Sequence, residues 1–284
     1  MCPHCRDGQN DMNAHEVQER YRSPNRAEYS ELAAYTREEI YKDCMGGGAL
    51  YLAAKMDRTI QLEEGDTVLD LGCGKGETSI FLARHHGVRV VAVDLWISAT
   101  YLSSKFAAEG LWDRILPLNL DVTERLPFAE GVFDAIFCMN SLSFYGGSVA
   151  FLHHLLVHLK KGGQFCAGME TLSEEFSAKD LANPPAVYNY ALPPPNELVN
   201  VWDDDFSKMH SPPWWERLFR ESGLLEVQHC RELEDATQLY EDLVLYQIEH
   251  DLDPEDVKHS IAQLEYGRQH RPYKTMFVIT AKRV

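Results

Sequence analysis

The chain has 284 residues, and 27 Lys and Arg stand against 44 Asp and Glu, for a formal charge of −17. That length holds one large α/β domain, or a domain with a cap, around a sizeable core. The acidic balance argues against non-specific nucleic-acid binding and against docking on anionic membranes, because both need basic surface; a small neutral or cationic substrate fits better. Residues 1–25 are polar without a clear period and read as a loose tail. Within it Cys2 and Cys5 form a C-x-x-C with His4 between them and His15 nearby. No two further well-spaced ligands follow closely, so an incidental pair is favoured and no metal site is expected. The other cysteines fall mostly in core strands (Cys73, Cys138, Cys166, Cys230), which argues against a disulfide framework.

From Pro24 to Met56 the pattern predicts two helices, Asn25 to Cys44 and another after the Gly46-Gly47-Gly48 break. Tyr29, Tyr35 and Tyr41 lie on the first, either as side chains of a lid or as packing residues of a helical appendage. Residues 1–56 thus read as a tail and helical lid, and 57–284 as the main domain. There strands alternate with helices, the pattern of a doubly wound, mainly parallel sheet. Strands are expected near 67–71, 88–93, 115–119, 133–138, 164–169, 225–231 and 275–282, with helices near 77–86, 98–110, 148–160 and 213–222. Two stretches break the rhythm. Residues 171–212 carry Pro184, Pro185, Pro193, Pro194, Pro195 and Pro212 with Tyr188, Tyr190 and Trp202, and read as an ordered cap. Residues 235–272 are helical in pattern, with Pro254 starting the second half. No run of about 20 apolar residues occurs and no signal-peptide core opens the chain, so a cytoplasmic protein is expected.

The most informative segment is VLDLGCGKG, from Val68 to Gly76. It reads as a buried strand breaking into a glycine-rich turn before a helix. Glycines at 72, 74 and 76 let the backbone take positive φ and let a ligand approach the main chain. The helix start then directs free N–H groups at that ligand. The spacing is G-x-G-x-G rather than the dinucleotide G-x-G-x-x-G, and Asp70 before the first glycine would repel a pyrophosphate. That counts against a nicotinamide oxidoreductase. Asp94 ends the next strand and suits two ribose hydroxyls.

With VVAVDLW, LDVTERLPFAEGVFDAIFCMNSL and LVHLKKGGQFCAG in the same order, the chain resembles the class I S-adenosylmethionine-dependent methyltransferases, and among them the small-molecule, methyltransferase-11-like branch. The likeness covers roughly residues 45–170. It implies a Rossmann-like sheet of seven strands with the last antiparallel, S-adenosylmethionine as cofactor and S-adenosylhomocysteine as product. It further implies that Gly72, Cys73 and Gly74 meet the methionine part and that Asp70 orients the turn and binds the ammonium. Asp94 would bind the ribose, with Leu95 and Trp96 against the adenine. Asp121 would accept from the adenine amino group beside Val122, and Asn140 and Ser141 would line the reactive methyl. Each of these acids can also be a plain helix cap.

Methyl transfer is an in-line displacement, so positioning matters most and a base only when the nucleophile carries a proton. Tyr145, Glu170 and His210 are the candidates on the substrate side, with His210 the best candidate for a base. No thiol cluster fit for arsenite is apparent. The expected activity is methyl transfer to an oxygen, nitrogen or carbon of a small molecule. The alternative is a non-catalytic module that binds cofactor or pairs with another subunit. Oligomeric state is open, with a homodimer as the arrangement considered.

Overall fold

The computed structural model describes residues 20–178, 189–191, 198–202, 204–250, 252–270 and 274–284. Cys2, Cys5, Tyr188 and the prolines 184, 185 and 193–195 lie outside the described residues. Seven strands form one sheet: β1 (Thr67–Leu71), β2 (Arg89–Asp94), β3 (Ile115–Asn119), β4 (Phe133–Met139), β5 (Leu159–Leu172), β8 (Leu225–Glu232) and β9 (Lys274–Arg283). Their order is β3-β2-β1-β4-β5-β9-β8, and β9 runs antiparallel to both its neighbours. A separate antiparallel pair, β6 (Asn189–Ala191) and β7 (Leu198–Asn200), falls within the stretch 171–212.

The buried strands explain the order. Residues of β1, β2, β4 and β9 alternate between two apolar clusters, one on each face of the sheet. Val68, Val90, Ala92, Phe137 and Val278 join one cluster, while Leu69, Val93, Ile136, Phe277 and Ile279 join the other. On the first face pack α2 (Ala49–Asp57), α3 (Glu77–His86), α4 (Ala99–Ala108) and α7 (Ala236–Glu249). On the second lie α5 (Val149–Leu156) and α6 (Pro212–Glu221), the latter through Trp215, Leu218 and Phe219. The helix expected to run to residue 160 stops at Leu156. Leu159 already pairs with Phe133, and Gly163 passes so close to the Asp134 carbonyl that a Cβ there would lie 2.7 Å from it.

The single helix expected over residues 25–44 is instead two short 3-10 turns followed by α1 (Arg37–Tyr41). Thr36 restarts the chain there with a capping box to Glu39. Tertiary hydrogen bonds override the local periodicity. Tyr29 donates to Asp235 (2.6 Å), and Tyr41 and Tyr51 both donate to Asp242 Oδ2 (2.9 and 3.1 Å). Tyr29 and Tyr41 are buried in the core and Tyr35 packs against it. The tyrosines are packing residues, and the polypeptide after them does the roofing.

The second insertion forms a helical hairpin, α7 with α8 (Pro254–His270). Its buried acids tie down the N-terminal segment. Glu241 accepts from the Arg22 amide (2.8 Å), Glu265 from the Tyr21 hydroxyl (3.0 Å), and Arg268 bonds both Glu241 and Glu265. Among the described residues no helix is long and apolar enough to cross a membrane.

Candidate functional site

A cavity of about 300 Å³ opens at the carboxyl ends of β1, β2 and β4, where an open α/β sheet places its ligands. Its floor is the turn from Gly72 to Gly74, and its roof is the segment from Ile40 to Leu50 that precedes and starts α2. The turn needs its glycines. Gly72 has φ +70°, and a Cβ there would lie 2.5 Å from both Ser141 Cβ and the Tyr145 hydroxyl. Gly76 has φ +91°, and a Cβ would lie 2.6 Å from the Phe106 ring. Gly72→Ala is therefore expected to cost about 2 kcal/mol or more, from left-handed strain and overpacking together. Urea unfolding checks this, and a change below about 0.5 kcal/mol would contradict it.

Asp94 ends β2 and stands at the cavity wall. Its Oδ2 accepts from the Gly74 amide (2.9 Å), and its Oδ1 from the amides of Trp96 (2.8 Å) and Ile97 (2.9 Å). One carboxylate thus fixes the glycine turn and the next loop while itself bordering the cavity. Leu95 and Trp96 follow as exposed apolar side chains, 53 % and 69 % accessible, at the cavity mouth. Trp96 meets Phe144 edge-on with ring centres 5.9 Å apart. Across from them lie Asp121 and Val122. Asp121 Oδ1 accepts from the amide and hydroxyl of Thr123 (2.9 and 2.6 Å), and these bonds hold its carboxyl below the usual range.

Asp70 does not border the cavity. It is wholly buried behind the turn, where its Oδ2 accepts from Thr78 (2.7 Å) and Ser79 (2.6 Å) in the first turn of α3. Its Oδ1 has no hydrogen-bond partner. Burial raises its pKa to about 6, against the two hydroxyl donors and with help from the charge of Asp94. The folded value lies above the unfolded one of about 3.9, so the native state holds the proton more tightly. The contribution of Asp70 to stability therefore falls by about 3 kcal/mol as pH rises from about 4 to about 6. Asp70→Asn should remove that slope: relative to the parent, the variant should gain about 3 kcal/mol between pH 4 and pH 7 in urea unfolding.

Asn140 and Ser141 follow β4. Asn140 is the only non-glycine with positive φ (53°) among the described residues, and its side chain explains why. Its Nδ2 donates to the Gly47 carbonyl (2.9 Å), and its Oδ1 accepts from the Glu170 amide (2.9 Å). One amide thereby clasps the roof to β5. Ser141 donates to the Leu71 carbonyl (2.7 Å). Tyr145 stacks on Phe151 and lines the cavity, and burial pushes its phenol well above the usual range. Cys73 also lines the cavity, and burial keeps it a thiol. The roof is held to the floor by charge: Asp43 accepts from Lys105 (2.8 Å) and faces Lys75 at 3.5 Å. These roof residues, Asp43 to Gly46 above all, carry no sequence motif; the triple glycine was their only marker.

The other two candidates lie outside this cavity. His210 stacks on Trp214 with ring centres 3.7 Å apart, and its Nδ1 is 2.9 Å from Glu175 Oε2. Trp214 in turn abuts Gly147, two residues past Tyr145. Glu170 forms an ion pair with Lys274 behind the Asn140 clasp. Among the described residues no group of His, Cys, Asp and Glu is placed to hold a metal ion.

The donor set fits a nucleoside with a charged amino-acid tail: a carboxylate at the second strand end, backbone at a glycine turn, exposed aromatic surface beside both. Comparison with known proteins agrees. Residues 68–163 match a family profile described as a methyltransferase domain. Phosphoethanolamine N-methyltransferase 1 of Triticum aestivum is 29 % identical over 126 residues, 42 % of this chain and 24 % of that protein. Demethylmenaquinone methyltransferase of Beutenbergia cavernae is 32 % identical over 149 residues, 52 % of this chain and 56 % of that one. The chain thus spans only about a quarter to a half of these relatives' lengths. Among solved structures, Haemonchus contortus phosphoethanolamine N-methyltransferase 2 in complex with S-adenosyl-L-methionine superposes with a TM-score of 0.64. That match covers 90 % of this chain and 58 % of the other at 13 % identity, a likeness of fold.

Proposed function

Because this chain belongs to the class I S-adenosylmethionine-dependent methyltransferases of the small-molecule branch, we propose that it moves a methyl group from that donor to an oxygen, nitrogen or carbon of a small molecule. The observation that supports this reading best is Asp94, which borders the cavity while its carboxylate accepts from the Gly74 amide of the glycine turn beside it. S-adenosylmethionine supplies an electrophilic methyl carbon on a sulfonium that leaves readily. Asp94 takes the ribose hydroxyls, and Leu95, Trp96 and Val122 flank the adenine, with Asp121 on its amino group. The backbone from Gly72 to Gly74 receives the amino-acid tail. Asp70, buried behind the turn, positions it by joining the end of β1 to Thr78 and Ser79 in the first turn of α3.

Asn140, Ser141 and Tyr145 then surround the methyl. Holding two reactants close and in line, with water excluded, supplies several kcal/mol. The roof from Asp43 to Leu50 does the excluding. Tyr145 stays protonated at neutral pH, so it orients the acceptor by donating a hydrogen bond. Neither His210, stacked on Trp214 and bonded to Glu175, nor Glu170, paired with Lys274, borders this cavity, so neither is given the role of base there. The fold alone does not fix the reaction. The test is incubation with methyl-labelled S-adenosylmethionine and a pooled metabolite extract. Label should appear in a small-molecule product above a heat-treated blank. No transfer by protein that binds S-adenosylhomocysteine would overturn the reading in favour of a non-catalytic module.

A further inference from the structure

A second cavity, of about 120 Å³, lies under the α7–α8 hairpin at the carboxyl end of β5. Glu170, Tyr240, Ser260, Gln263, Arg268 and Lys274 line it. Two of these form a pair shielded from solvent, with side chains 17 % and 16 % accessible: the Lys274 ammonium touches the Glu170 carboxylate. Lys274 also donates to Gln263 Oε1 (3.1 Å) and sits 5.4 Å from the centre of the Tyr240 ring. Arg268 is committed elsewhere, to Glu265 (2.7 Å) and to Glu241.

This cavity adjoins the first one across a single thickness of backbone. A Cβ on Gly47 would lie 3.2 Å from Glu170 Oε2. The partition is the Gly46–Gly47 segment and the Asn140 amide that clasps it. Gly46 and Asn140 face the first cavity, and Glu170 faces the second. The glycines at 46–48 add no side chain of their own, and the passage is closed by Asn140 against Gly46 and Gly47 and by the Met276 methyl against Gly47.

An ion pair lining a cavity offers one charge of each sign. A ligand with a single charge would strand one member of the pair in a poorly solvated place, which is costly. A ligand with both signs on neighbouring atoms exchanges partner for partner and leaves no charge alone. The volume admits a head group of a few heavy atoms, since a water occupies about 30 Å³.

We propose that this second cavity seats a zwitterionic head of the methyl acceptor, with Glu170 taking its ammonium and Lys274 its carboxylate. The rest of the acceptor reaches the first cavity by displacing the Asn140 side chain from the Gly47 carbonyl. The proposal rests on the methyl-transfer reading of that first cavity and deepens it by naming an acceptor class.

The test titrates the protein, saturated with S-adenosylhomocysteine, with L-serine as the zwitterionic probe and with propionate and ethylamine as single-charge probes. Saturation-transfer NMR reports binding. Serine should bind saturably where the other two do not. Lys274→Gln and Glu170→Gln should each weaken serine at least tenfold and leave S-adenosylhomocysteine affinity within twofold. Ser260→Trp, which fills the cavity from α8, should abolish serine binding with the same unchanged control, and it serves if the charge variants fail to fold. Three results overturn the proposal: no serine binding by protein that binds S-adenosylhomocysteine, equal binding of a single-charge probe, or serine binding that survives the variants. Protein that fails to bind S-adenosylhomocysteine overturns instead the methyl-transfer reading and with it the acceptor role.

Discussion

Asp94→Ala is expected to weaken S-adenosylhomocysteine binding by roughly 100-fold or more. Hydrogen bonds to a charged group contribute about 1.5–3 kcal/mol each, and the proposed ribose contact uses two of them. Each 1.4 kcal/mol is about a factor of ten in affinity. The same carboxylate also anchors the amides of Gly74, Trp96 and Ile97, so its removal loosens the turn that receives the amino-acid tail. Asp94→Asn separates the two effects, because an amide keeps an acceptor for the turn and loses the charge; it should fall between parent and alanine variant. Calorimetric titration measures all three, and a loss of less than about threefold in the alanine variant would contradict the assignment of Asp94.

The largest effect on stability is expected at Asp242→Ala. This side chain is 1 % exposed and joins three separate parts of the chain. Its Oδ1 accepts from Ser23 (2.5 Å) and faces Arg37 Nε at 3.0 Å, while its Oδ2 accepts from Tyr41 and Tyr51. Removing this carboxylate leaves the buried hydroxyls of Tyr41 and Tyr51 without their acceptor, at about 1–3 kcal/mol each, while Arg37 keeps Glu249 (2.6 Å). Against a total of about 5–15 kcal/mol that is a large fraction. Because Asp242 fastens the roof-bearing segment to the hairpin, the cavity should also become leaky. Urea unfolding should show the loss, and a change below about 1 kcal/mol would mean that the hub is dispensable.

What could be read from sequence follows the local physics. β1, β3 and α3 run as their patterns predict, because each is bounded by its own signal: apolar β-branched residues, then the glycine turn or a histidine-rich end before Gly87. The cavity at the strand ends was legible for the same reason, since a doubly wound order forces Asp94, Asp121 and Asn140 to one edge. Segment 25–44 was not legible. Its apolar spacing suits a helix, but Tyr29 and Tyr41 are fixed by acids more than 200 residues away, Asp235 and Asp242, which no local window contains. Glu170 and His210 show the same limit. Sequence offers both as candidates on the substrate side, yet Asn140 interposes between Glu170 and the first cavity, and Trp214, stacked on His210, packs against Gly147. The ion pair of Glu170 with Lys274 joins two strands adjacent only through the final antiparallel pairing.

Equilibrium dialysis with radiolabelled S-adenosylmethionine tests most directly whether the crevice between the first two strand ends is a donor site. One molecule should be retained per chain, displaced by S-adenosylhomocysteine and left in place by NADH. Absence of retention at micromolar donor, or displacement by NADH, would contradict it.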